Sequence, residues 1–167
     1  MKKETKPEEK KPIDFAKLLV IPHENVSVEV KDKDIKRVMK DAHDMYNLCF
    51  TMVGIYGGFL AIAHPQISDK KPLRFFVTKD AELIINPVMV RHTKTTIDSS
   101  EGCATFSELP PIITQRWNKC EVEYQTIIEG EKLSNTIFEK LSGIRAKMFQ
   151  HEIDHLDSEY IYEYKND

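Results

Sequence analysis

The stretch Gln150-His151-Glu152-Ile153-Asp154-His155 constrains this chain more than any other. It contains His-Glu-x-x-His, whose spacing has a mechanical meaning. Residues four apart on an α-helix share a face one turn on, so His151 and His155 can direct ring nitrogens at one metal ion. Glu152 lies about 100° round from His151. There its carboxylate can take a proton from a water polarised by the ion without being a ligand. A surface helix carrying two histidines and acids by chance is the plain alternative. Upstream, Gly143 to Phe149 reads as helical, and Ile144, Met148, His151 and His155 fall on one side at helical spacing. That spacing predicts two ligands at the end of an apolar face. A third ligand is needed, with one position left open for water.

At 167 residues the chain is long enough for one domain with a real core. A net charge of −3 argues against a strong nucleic-acid or membrane field. No apolar run reaches the roughly 18 residues of a membrane-spanning helix. Cys49, Cys103 and Cys120 are scattered and odd in number, which is not a disulfide framework. They fit a reducing compartment, where one of them can bind metal. Residues 1–12 hold five lysines and three glutamates with no apolar run, so they read as a disordered charged tail. Residues 13–167 read as a single metallohydrolase domain, expected to be a monomer.

Along the chain, residues 18–22 form a short extended run. Asp34 looks like a helix N-cap, followed by Ile35, Val38, Met39, Ala42, Met45 and Tyr46 at helical spacing. His43 in this helix reads as solvated or core rather than as a ligand. Residues 54–58, rich in glycine, read as the break. Residues 59–67 suit a buried turn leading to a strand, with Gln66 as an uncharged amide donor. Residues 73–77, 82–87 and 88–96 read as strands. Residues 98–106 read as a loop of turn-forming residues ending near Cys103. Residues 112–116 and 120–128 read as a strand pair, with Cys120 in the strand core, and the metal helix should begin near Glu139.

His-Glu-x-x-His proteins usually take the third ligand downstream, but residues 156–167 contain no His or Cys. Asp157, Glu159 and Glu163 are available there. The better candidate is Cys103 in Glu101-Gly102-Cys103, a soft thiolate beside a glycine that lets the backbone approach closely.

Glu101-Gly102-Cys103 followed by Gln150-His151-Glu152, Asp154, His155 and Leu156 resembles the peptide deformylases. The family's third signature, Gly-x-Gly-x-Ala-Ala-x-Gln, aligns without a gap on residues 59–66, ending on Gln66. Asn86-Pro87 and Arg116 also resemble the family, so the likeness spans about residues 18–162. It implies an α+β fold, with short, mostly antiparallel sheets around a central C-terminal helix carrying the histidines. It implies removal of the formyl group from N-formylmethionine at the start of nascent peptides. Cys103, His151 and His155 would hold one divalent ion, commonly Fe(II), with Zn(II), Ni(II) or Co(II) substituting. Glu152 would take the water's proton and return it to the leaving amine. The Gln66 amide and the Ala104 N–H would stabilise the developing oxyanion, each worth about 3 kcal/mol of barrier. The substrate would add as an extended strand, with Ala61, Ile144, Met148 and the Glu101-Gly102 backbone binding it. Glu101 and Arg116 would form an ion pair that fixes the cysteine loop.

Several positions depart from the family. Phe59 and Ala61 replace glycines, His64 replaces an alanine, Ala104 follows the cysteine where leucine is usual, and Ser158 replaces a glycine. These changes leave the ligands, the base and the amide intact and point to altered substrate preference. His64 reads as a loop histidine, with a metal neighbour or a substrate contact as alternatives. The short segment after His155 resembles compact, tail-less members of viruses and organelles, which questions the usual mode of transient ribosome association. A different small metallo-amidase or peptidase, and a catalytically silent metal-binding homologue, are the rival readings.

Overall fold

The computed structural model describes residues 25–56, 61–68 and 70–162. The expectations for residues 1–12 and 18–22, and for Gly57, Gly58 and Phe59, lie outside them. Two helices, α1 (Ile35–Tyr56) and α2 (Gly143–Leu156), enclose a five-stranded antiparallel sheet. Its strands are β1 (Ala61–Ala63), β2 (Phe75–Thr78), β3 (Leu83–His92), β6 (Lys119–Gln125) and β9 (Ile137–Ser142), adjacent in that order. Two hairpins complete the fold: β4 (Thr96–Glu101) with β5 (Ile112–Trp117), and β7 (Ile127–Ile128) with β8 (Lys132–Leu133). This is the expected α+β class with short antiparallel sheets and a C-terminal helix.

The period of two along a strand explains where the core sits. Ile62, Phe75, Val77 and Ile85 face α1 and pack with Val38, Ala42, Met45, Leu48 and Met52. Ala61, Ala63, Phe76 and Ile84 face the other way and pack with Ala146, Phe149 and Leu156 of α2. β2 is therefore buried on both faces, which is why it reads as a continuous apolar run. Phe76 and Phe149 meet edge to face with ring centres 5.1 Å apart.

Several local expectations give way to tertiary pairing. Asp34 lies inside a 3₁₀ turn (Asp32–Asp34), where its carboxylate accepts the Lys31 N–H at 3.0 Å rather than capping from outside. α1 runs through Gly54, an exposed helical position, at a propensity cost of about 1 kcal/mol. Residues 83–92 form one strand, not two. It is bent by a bulge at Asn86, which takes a left-handed φ of 52° and bonds Val30 and Gln125 through its side chain. Residues 96–101 form a strand, because pairing with β5 overrides their turn-forming composition. β5 and β6 do not pair with each other and belong to different sheets. Residues 137–142 are the edge strand β9, so α2 starts at Gly143 and not near Glu139. Gly143 adopts φ +57°, a left-handed step that lets the strand pass into the helix with no intervening loop.

Candidate active site

α2 turns its faces to two jobs. Ala146, Phe149, Ile153 and Leu156 face the core, and His155 and Glu152 are buried with them. Ile144 is 71% exposed and off the core-packing face, whereas Met148 is partly buried and packs against the core; both line a cavity of about 220 Å³. Gln150, 2% exposed, anchors the helix to β5: its amide accepts the Trp117 N–H and donates to the Trp117 carbonyl, both at 2.8 Å.

The two histidines are joined by Cys103, which follows the end of β4. Cys103 Sγ lies 3.3 Å from His155 Nε2, and His155 Nε2 lies 3.2 Å from His151 Nε2. The three donor atoms all fall within 4.8 Å of one another. His151 is aimed by its other nitrogen, since Nδ1 meets Glu101 Oε2 at 3.1 Å. Arg116, 8% exposed, grips the same carboxylate through two N–H groups at 2.9 Å each and reaches Asp154 at 2.5 Å. A line of charge thus runs from Asp154 through Arg116 and Glu101 to His151.

The field of the site follows from these contacts. Burial works against ionisation of Glu101, but the bonds to His151 and Arg116 prevail and hold it well below the usual carboxylate range. Burial likewise discourages charge on His151, yet Cys103, Glu101 and Glu152 prevail and favour a positive charge there. His155 is held neutral, by burial first and then by His151 and Arg116. Glu152, 3% exposed, is pushed up to about 7, chiefly by burial, with His151 partly opposing. Its Oε2 has no hydrogen-bond partner among the described residues. A thiol sulfur and two imidazole nitrogens converging within 4.8 Å, in a largely buried cluster, fit a divalent cation such as zinc or iron.

The cavity beside the cluster is lined by Ala61, Gln66, Gly102, Ala104, Met148 and Glu152 among others. Gln66, 3% exposed, sits in a 3₁₀ turn (His64–Gln66) after β1. Its Oε1 accepts the Ala63 N–H at 2.8 Å, and its Nε2 donates to Thr105 Oγ1 at 3.0 Å and faces Cys103 Sγ at 3.9 Å. Ala104 opens the 3₁₀ turn (Ala104–Phe106) directly after Cys103. Asp157 is turned away and pairs with Arg74. His64 is neither an open loop residue nor a member of the metal cluster: it is fully buried and bonded to Asp41 and to the Leu73 N–H. His43 is exposed.

Sequence reasoning missed Thr105, the partner of Gln66, and the cavity residues Ser99, Ser100 and Lys147. It also missed the link from Arg116 to Asp154, although Asp154 lies inside the His-Glu-x-x-His stretch. The Tyr160 ring, 5.2 Å from that of His155, carried no signal in the sequence.

A family profile described as polypeptide deformylase matches residues 16–167. "Peptide deformylase 2" of Bacillus subtilis is 33% identical over 113 residues, covering 63% of this chain and 59% of that protein. The peptide deformylase of Thermotoga neapolitana is 34% identical over 101 residues, covering 59% of this chain and 57% of that protein. The chain therefore aligns with less than two thirds of the length of these relatives. Among solved structures, the peptide deformylase of Thermotoga maritima superimposes with a TM-score of 0.61 at 26% identity, covering 84% of this chain and 87% of that one. The enzyme of the Vibrio parahaemolyticus bacteriophage VP16T, solved in complex with actinonin, gives 0.61 at 25% identity, covering 89% and 96%. With the profile spanning nearly the whole sequence and the fold matching over 84–89% of the chain, the chain belongs to the polypeptide deformylase family.

Proposed function

We propose that this chain hydrolyses the N-formyl group of N-formylmethionyl peptides, releasing formate and the free amine. The observation that carries the reading is the meeting of Cys103 Sγ, His151 Nε2 and His155 Nε2 within 4.8 Å, beside a cavity that Gln66 and Glu152 line. Cys103, His151 and His155 would hold a divalent ion, Fe(II) in our reading with Zn(II), Ni(II) or Co(II) as substitutes, which when bound would supply Lewis acidity and lower the pKa of water. Glu152 takes the proton of the attacking water and later passes it to the leaving nitrogen. Burial strengthens the hold of the Glu152 carboxyl on a proton, which suits a group that takes one and passes it on.

The Gln66 amide and the Ala104 N–H are the donors for the oxygen that gains negative charge. A helical turn leaves its first N–H groups without partners inside the turn, which suits Ala104 to this role. An ionised carboxylate at position 66 would instead repel that oxygen. β1 and β4 are both edge strands, and both contribute to the cavity wall, so an extended peptide has backbone to pair with on either side. Ala61, Ile144, Met148 and the backbone of Glu101 and Gly102 receive its first side chain. The domain doing this work begins near residue 13. It acts as a monomer in the cytoplasm, meeting nascent chains at the ribosome transiently. Among the described residues no helix is long and apolar enough to cross a membrane.

The test is hydrolysis of formyl-Met-Ala-Ser against acetyl-Met-Ala-Ser by protein purified anaerobically, with the bound metal quantified. The reading expects metal near one per chain and a strong formyl preference. Glu152→Ala should keep the metal and lose turnover. Equal rates on the two peptides would point to a general amidase, and a wild type no faster than Glu152→Ala to a silent homologue.

A further inference from the structure

His64 is fully buried, yet it belongs neither to the metal cluster nor to the proposed chemistry. Its two ring nitrogens are both used. Nδ1 accepts the Leu73 N–H at 2.8 Å, so the ring proton resides on Nε2, which lies 3.2 Å from Asp41 Oδ2. Asp41 is on α1 and also accepts from Arg37 Nε at 3.3 Å. Arg37 in turn donates to Ser68 Oγ and to the Lys71 carbonyl, each at 3.3 Å. α1 therefore grips the segment after β1 at residues 64, 68 and 71. The Phe75 ring, with its centre 4.6 Å from that of His64, closes the pocket around the imidazole.

The gripped segment carries Gln66. Among the described residues β1, which leads into it, has three residues and lies at the edge of its sheet, so few ladder bonds hold it. We infer that His64 is a positioning residue: bridging Asp41 and the Leu73 N–H, it fixes the His64–Gln66 turn so that the Gln66 amide faces the Cys103, His151 and His155 cluster. The kinetic consequence rests on the deformylase reading, whereas the geometric one does not.

The Ala63 N–H bonds to Gln66 Oε1, so its hydrogen exchange reports the placement of that side chain. In the ¹⁵N-labelled full chain loaded with Zn(II), exchange at Ala63 and at the Gln66 side-chain amide should quicken in His64→Ala by about tenfold relative to Val77. Asp41→Asn, at the partly exposed end of the brace, should give a smaller change in the same direction and covers the case in which His64→Ala does not fold. With formyl-Met-Ala-Ser, His64→Ala should lower kcat by about tenfold with KM within about twofold, and His64→Ala/Gln66→Ala should be no slower than Gln66→Ala alone. A packing role alone would leave Ala63 exchanging in step with Val77 in both variants, or would make the two kinetic losses multiply; either result overturns the proposal. A wild type that releases no formate would sink the deformylase reading, while the exchange comparison still decides the brace.

Discussion

Replacing Arg116 by methionine should destabilise this protein severely although no cavity of consequence is created. The guanidinium makes three charge-assisted bonds: two at 2.9 Å to Glu101 and one at 2.5 Å to Asp154. The Glu101 side chain is 10% exposed and that of Asp154 27%. Removing the cation leaves Asp154 without its countercharge and the deeper Glu101 with His151 alone. Breaking a buried pair from one side costs about 3–5 kcal/mol, and the partial exposure of Asp154 puts the expectation near the lower end, about 3 kcal/mol. The sign with pH follows from Glu101. Its folded pKa is depressed, so its contribution is present above the unfolded carboxyl pKa and is lost as pH falls below the usual carboxylate range. The acid-side slope should therefore be steep in the wild type and shallower in Arg116→Met. Urea unfolding read by fluorescence measures this well, because the chain has one tryptophan and it is Trp117, next to the substituted position. The comparison should be made at fixed metal concentration, since a bound ion stabilises the folded state by mass action. A variant within about 1 kcal/mol of wild type at pH 7, with an unchanged acid slope, would refute the argument that Arg116 neutralises this pair.

Phe149→Ala should cost about 3–5 kcal/mol, because Phe149 is fully buried against Phe76 and little around it can collapse; urea unfolding checks this. Gly143→Ala should cost about 1–2 kcal/mol, from the left-handed φ of +57° rather than from crowding, since none of the described residues lies within 4 Å of the added carbon; thermal unfolding of the two proteins measures it. His64 is lowered to about 4, first by burial and with Arg37 contributing, against the hydrogen bond it donates to Asp41. Its folded pKa lies below the unfolded one, so stability should fall as pH drops from about 6.5 to about 4, by up to about 3 kcal/mol. His64→Asn should flatten that limb of the stability profile and leave the more acidic limb of Glu101 in place.

What could be read along the chain was local. The pairing of His151 with His155 follows from helical pitch, and the strands at residues 73–77 and 82–87 follow from composition and flanking turns. Cys103 needed more: no periodicity ties it to two histidines far downstream, and the resemblance of three separated motifs supplied the link. The errors share one cause. Residues 96–101 look like a loop because serines, threonine and aspartate favour turns, yet β5 offers them a ladder. β5 and β6 look like a hairpin because they are neighbours in sequence, yet the Gln150 amide draws Trp117 toward α2. β9 was hidden because residues 137–142 form an edge strand whose pattern is only partly buried.

The amino-acid sequence by itself determined the kinds of chemistry present and their short-range spacing: a thiol, two imidazoles one helical turn apart, a carboxyl between them and an amide in an apolar turn. Only the tertiary structure decided that Arg116 would clamp Glu101 behind His151, that Ile144 would face a cavity and not the core, and that His64 would be sealed between Asp41 and Leu73. Spacing along a helix or strand is set by backbone geometry at each residue. Partnership between distant segments is set by which pairing buries the most apolar surface with every polar group satisfied, and no window of the chain contains that comparison.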